Sequence, residues 1–165
     1  MKHANKLRTL TGRAALVAAL AIGTASVAFA AASRAYLHSY NLPGHGVAIE
    51  GYSPVSYFTV GKAVRGKRDF SVEHNGVTYF LTSEREQQQF RVDPEKYVPA
   101  YGGWCAFGMA VEDKFPIDPH SFKIVDGKLN LFLKNKSIDA LELWNKGDEP
   151  DLIGKAAAHW RKVSS

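Results

Sequence analysis

The chain has 165 residues, 45% of them hydrophobic and 22% charged, a formal net charge of +5 and one cysteine. That length is enough for one domain and not comfortably two, and the apolar content is ordinary for a globular protein. A single cysteine excludes a disulfide within the chain.

The excess charge sits at the N-terminus. Lys2, Lys6, Arg8 and Arg13 precede an uncharged run from Ala14 to Ala31, and Ala28-Phe29-Ala30 follows the A-x-A pattern of a cleavage site. A basic start, an apolar stretch and a small-residue site read as a secretory signal over residues 1–30. The expectation is export to a bacterial periplasm or the extracellular medium, with cleavage after Ala30. The run also approaches the ~20 residues that cross a bilayer, so an uncleaved anchor is the alternative. The membrane is expected as a partner only through that segment. Without residues 1–30, 17 Lys and Arg face 16 Asp and Glu, a net charge of +1. Nucleic-acid binding asks for a basic stripe on the folded domain, and a balanced composition does not offer one, so no nucleic-acid partner is expected. About 135 residues remain, enough to bury a core without covalent staples.

Residues 31–46, AASRAYLHSYNLPGHG, carry no clear period, end in Pro and Gly, and read as a tether. The domain proper is placed at 47–163. Val47–Gly51 is a short apolar stretch. Ser53 before Pro54 predicts a short helix through Phe58. "RDFSVEHNGVTYFLT" alternates apolar and polar residues around Asn75-Gly76, which predicts a hairpin with a tight turn. Ser83 and Glu86 form a capping-box pattern, so a helix is expected from Glu84 to about Val92, ending before Pro94. Asp93-Pro94 opens a further helical turn. A second hairpin is expected around Asp126-Gly127. Ser137–Lys146 and Leu152–Val163 show helical periodicity. No internal repeat is visible. The fold class is α+β: a small single domain with two β-hairpins and several short helices.

The segments GYSPVSYF, NGVTYF, FRVDPEKYVPAYGGWCA, IDPHSFKIVDGKLNLF and AAAHWRKV together resemble the YHS-domain family. The likeness is to a small exported branch in which a Gly-Gly-aromatic-Cys segment follows the core, and it runs over roughly residues 47–163. Metal-associated members of the family carry three cysteines as soft ligands. The resemblance maps those positions onto Ser56, Thr82 and Glu86, all oxygen side chains here. Hydroxyls are poor ligands for zinc or copper(I), so the resemblance implies that this older type of metal site is lost.

Cys105 is then the sharpest candidate. Gly102 and Gly103 predict a tight turn into a helix over Trp104–Ala110. A thiol in the first turn of a helix feels the positive end of the dipole, which lowers its pKa. The alternative is a small buried hydrophobe under Trp104 and Phe107. Among the histidines, His45 on the mobile-looking "LPGHG" segment is the one to pair with Cys105 as a metal ligand. His74 reads as solvated, His120 as locally hydrogen-bonded and His159 as packing. Cys105 and His45 are therefore the candidate metal ligands, for a soft or borderline ion such as copper or zinc. Cys105, Trp104, Tyr101 and Tyr57 are the candidate lining of a small-ligand pocket. Three functions follow: non-catalytic binding of a metal ion or small ligand near Cys105, thiol-dependent redox or nucleophilic catalysis by Cys105 with a histidine as base, or a protein-interaction module. The sequence carries no phosphate loop, nucleophile elbow or dinucleotide fingerprint.

Overall fold

Asn75-Gly76 and Asp126-Gly127 build the two tight turns. All four residues lie in the left-handed region, with φ of 51°, 77°, 48° and 73°, as a type I′ hairpin turn requires. They join β1 (Lys67–His74) to β2 (Val77–Leu81) and β3 (Asp118–Val125) to β4 (Lys128–Phe132). Each pair is a separate two-stranded antiparallel sheet. The computed structural model describes residues 37–43 and 45–165. The expected signal over residues 1–30, residues 31–36 of the expected tether, and Gly44 lie outside the described residues.

Among the described residues, six α-helices accompany the hairpins: α1 (Pro54–Thr59), α2 (Glu84–Val92), α3 (Pro94–Tyr97), α4 (Ala106–Ala110), α5 (Ala140–Lys146) and α6 (Glu149–Val163). The α+β reading holds. Helix α2 starts where Ser83 directs: its Oγ accepts from Glu86 N at 3.3 Å. Three starts differ from expectation. Helix α4 begins at Ala106, because Trp104 and Cys105 are extended (ψ 162° and 121°). Helix α5 begins at Ala140, because the Asp139 carboxyl takes the N–H of Glu142 while Asn135 Oδ1 holds the N–H groups of Ser137 and Ile138 in a turn. Helix α6 begins three residues early, because Asp148 caps it through Asp151 N at 3.0 Å. Among the described residues, no helix is long and apolar enough to cross a membrane.

The core gathers side chains from both hairpins and several helices, with Trp144, Tyr57, Phe90, Phe132, Leu81 and Met109 fully enclosed. Burying each such side chain contributes roughly 1.5–3 kcal/mol. The beginning and end of the described chain meet: Ser39 Oγ donates to the carbonyl of Val163 at 2.8 Å.

The backbone repeats itself, which the sequence did not reveal. A tight left-handed turn at Ala48–Gly51 recurs at Ala100–Gly103. Ile49 and Glu50 have φ of 50° and 51°, and Tyr101 and Gly102 have 53° and 59°. Gly51 and Gly103 follow at 85° and 83°. An extended pair comes next, Tyr52-Ser53 or Trp104-Cys105, and then a short helix, α1 or α4. Ser53 N donates to Val64 O, as Cys105 N does to Phe115 O. Val47 bridges Thr78 in parallel, as Pro99 bridges Leu129. Both hairpins carry an irregularity at the same place, between Lys67 and Ser71 and between Asp118 and Phe122. Left-handed backbone at Ile49 and Tyr101 costs about 1–2 kcal/mol each, so both halves accept strain to make this turn.

Candidate functional site

The turns aim carbonyls outward, and each half satisfies them differently. In the second half Gly102 O accepts from Asn41 N at 2.9 Å and Gly103 O from Asn41 Nδ2 at 3.0 Å. Trp160 of α6 lies so close over Gly102 that a Cβ there would stand 2.6 Å from its ring. In the first half Glu50 O accepts from Arg65 Nη1 at 3.1 Å and Gly51 O from Gly66 N at 2.9 Å. These donors come from the loop before β1, and they leave a cavity of about 490 Å³, open to solvent, beside the turn. Its lining includes Val47, Glu50, Gly51, Arg65, Arg68 and Phe80, with Pro43 and His45 at the N-terminal side.

Phe80, half-buried on β2, is the apolar floor. Two glycines flank it. A Cβ at Gly66 would meet the Phe80 backbone at 2.5 Å, and one at Gly51 would stand 3.2 Å from the ring. The Arg65 guanidinium lies over the Tyr52 ring at 4.4 Å, a cation–π contact that fixes its position. Tyr52 in turn meets His120, ring edge to face at 5.3 Å, with Oη 3.3 Å from Nε2. Arg68 is exposed, and among the described residues no hydrogen bond or ion pair holds its guanidinium.

Cys105 has a different setting from the one expected. Its side chain is fully buried. Sγ accepts from Leu133 N at 3.3 Å and Gly108 N at 3.4 Å. Burial pushes the thiol pKa up, against the smaller lowering effect of its backbone donors. The expected lowering is therefore corrected: α4 has five residues, and desolvation outweighs its short dipole. Among the described residues no hydrogen bond joins His45 to Cys105, and no group of three or more His, Cys, Asp or Glu is gathered for a metal ion. His45 is exposed and lines the cavity by Phe80 instead.

The other candidates are equally separate. Tyr57 is buried, its hydroxyl donates to Pro119 O at 2.9 Å, and its ring meets Phe122 edge-on at 4.7 Å. Burial, with smaller contributions from Tyr52, Asp118 and Glu50, raises its pKa well above the ordinary tyrosine value. Trp104 Nε1 donates to Ser39 O at 2.6 Å, and Lys114 sits over its ring. Tyr101 shares a second, shallow cavity of about 400 Å³ with Tyr40, Lys128, Trp160 and Arg161, and burial raises its pKa. Neither cavity contains two of Cys105, Trp104, Tyr101 and Tyr57. His74, read as solvated, has Nε2 2.9 Å from a Glu95 carboxyl oxygen.

Ser56, Thr82 and Glu86 form part of a buried polar cluster. Glu86 Oε2 accepts from Ser53 Oγ at 2.7 Å and from Thr82 N at 2.9 Å, so its carboxyl reaches one residue beyond the capping-box target. Ser56 Oγ donates toward the carbonyls of Ser53 and Lys62 and accepts from Val64 N. Sequence reasoning missed the cavity residues Phe80, Arg65 and Arg68. The basic run Lys62, Arg65, Lys67, Arg68 was the signal that could have found them.

Compared with known proteins, the chain matches no family model, and neither a curated protein nor a solved structure matches it.

Proposed function

We propose that the chain is an exported YHS-type domain that binds a small ligand without catalysing its conversion, and that the ligand site is the open cavity over Phe80. The motif resemblance and the N-terminal signal pattern support the first part. One observation carries the second: a cavity of about 490 Å³ whose floor is a half-bare aromatic ring and whose walls bring two arginines. That volume lies within the range of small-molecule sites, which combine apolar lining with a few polar anchors. This moves the binding site away from Cys105, whose sulfur is already committed to two backbone N–H groups. Thiol catalysis loses its support for the same reason, since a buried sulfur with a raised pKa forms little thiolate.

The test is a fluorescence titration of the full chain with the neutral apolar probe N-phenyl-1-naphthylamine. Binding should weaken by about tenfold in Phe80→Ala, since the floor supplies most of the apolar contact. Val47→Gln, at the wall, should weaken it less. Near-ultraviolet circular dichroism confirms that each variant keeps its packing. Equal titration curves for the natural chain and both folded variants would place the ligand elsewhere.

A further inference from the structure

The repeat tells what kind of molecule the cavity suits. Val47, Glu50, Gly51 and Phe80 occupy the positions of Pro99, Gly102, Gly103 and Leu131. Over the second turn, the chain supplies its own cover, Asn41 and Trp160. Leu131, the counterpart of Phe80 in the strand register, is 1% exposed. No such cover lies over the first turn among the described residues, and Phe80 remains half-bare.

Another stretch of backbone bonded in the same way would have to share acceptors that are already in use. Glu50 O and Gly51 O already have donors in Arg65 and Gly66. What remains is an aromatic floor and cationic side chains. Arg65 is engaged twice, with Glu50 O and with Tyr52, so it acts as a charged wall. Among the described residues Arg68 is uncommitted, and a guanidinium is a planar fork suited to two oxygens of one anionic group. Among the described lining residues Glu50 is the single acidic group, against Arg65, Arg68 and the imidazole of His45.

We propose that this cavity takes an amphipathic organic anion: its apolar body lies on Phe80, in the place that Asn41 and Trp160 hold over the second turn, and its carboxylate, sulfonate or phosphate head meets Arg68. This rests on the cavity being the ligand site, as argued above.

The full chain is titrated with two probes of similar rings, neutral N-phenyl-1-naphthylamine and anionic 8-anilino-1-naphthalenesulfonate. The sulfonate should bind about tenfold more tightly, as a charge-assisted pair predicts. Arg68→Gln should remove that preference, weakening the sulfonate about tenfold more than the neutral probe. Added salt should weaken the sulfonate alone. Neutral binding that depends on Phe80, with no preference for the sulfonate, overturns the anion assignment and leaves the ligand-binding reading standing. Absence of binding by either probe overturns both. Co-sedimentation with phosphatidylglycerol vesicles, lost in Arg68→Gln and without preference for the soluble sulfonate, overturns it in favour of a membrane surface. Near-ultraviolet circular dichroism on Arg68→Gln confirms that the fold is kept; the residue is exposed, and none of the core contacts depend on it.

Discussion

The two halves of the domain share a backbone plan and differ in how they satisfy it. At the start of the short helix, the first half uses Ser53 and a buried carboxyl, with Glu86 Oε2 collecting Ser53 Oγ and Thr82 N. The second half places Cys105 where Ser53 stands, and its sulfur takes Leu133 N directly. Thr82 and Leu133 hold equivalent positions after the second strand of each hairpin. Two chemistries therefore meet one need, a buried N–H that requires an acceptor. The turns diverge in the same manner. The second is roofed by its own chain, while the first is held from the side and stays open. A lone cysteine thus reads as an acceptor within the scaffold, and the open cavity over Phe80 belongs to the other half.

Breaking the buried anchors should cost most. Glu86→Ala strands Ser53 Oγ and Thr82 N together, and a loss of about 3 kcal/mol is expected in urea unfolding. Glu86→Gln keeps an acceptor and should recover most of it. A loss under about 1 kcal/mol would mean that water replaces the carboxyl. Cys105→Ala removes the acceptor for Leu133 N and Gly108 N and should cost about 2 kcal/mol, with Cys105→Ser intermediate. Next in size is the roof: Gly102→Ala forces a Cβ against Trp160 in a left-handed turn and should cost about 1–2 kcal/mol. Gly51→Ala, whose Cβ meets the Phe80 ring edge at 3.2 Å and Arg65 Nη1 at 3.7 Å, should cost less than its counterpart. Equal losses would erase the distinction between a roofed and an open turn.

The smallest effect sharpens the comparison by pH. The folded state holds the Cys105 thiol protonated, and its pKa is raised above the ordinary value of 9.0. Its contribution to stability is complete below that value and declines as pH rises, because the unfolded chain then releases the proton more readily. Between pH 9 and 10 the decline should be about 1 kcal/mol or less, and it should vanish in Cys105→Ser. Above pH 10 the buried Tyr57 and the half-buried Tyr101, one from each half, join with the same sign.

Local signals told much of the fold. Asn75-Gly76, Asp126-Gly127 and Ser83 each act on their nearest neighbours, so their turns and cap follow from residue type. The repeat had no such signature. Among the paired positions, identity survives at Ala48 and Ala100, Gly51 and Gly103, and Gly76 and Gly127. The correspondence lives in backbone angles and strand register, which many side chains can share. The site was hidden for a related reason. Phe80 falls out of phase with the buried Val77, Tyr79 and Leu81 on β2, so the alternation marks it as outward-facing and gives no sign of a cavity. Cys105 misled in the other direction: its rarity suggested chemistry, while its surroundings needed an acceptor.

The hydrogen bond from Ser39 to Val163 has a topological meaning. Residue 39 lies beside residue 163, so the two ends of the described chain sit at one pole of the fold. A short peptide joining those ends, with new termini cut at the uncrowded Gly61 loop, would give a permuted ring that keeps both hairpins whole. In such a molecule the half with the open turn would be split between the first and last stretches made, and the roofed half would emerge unbroken.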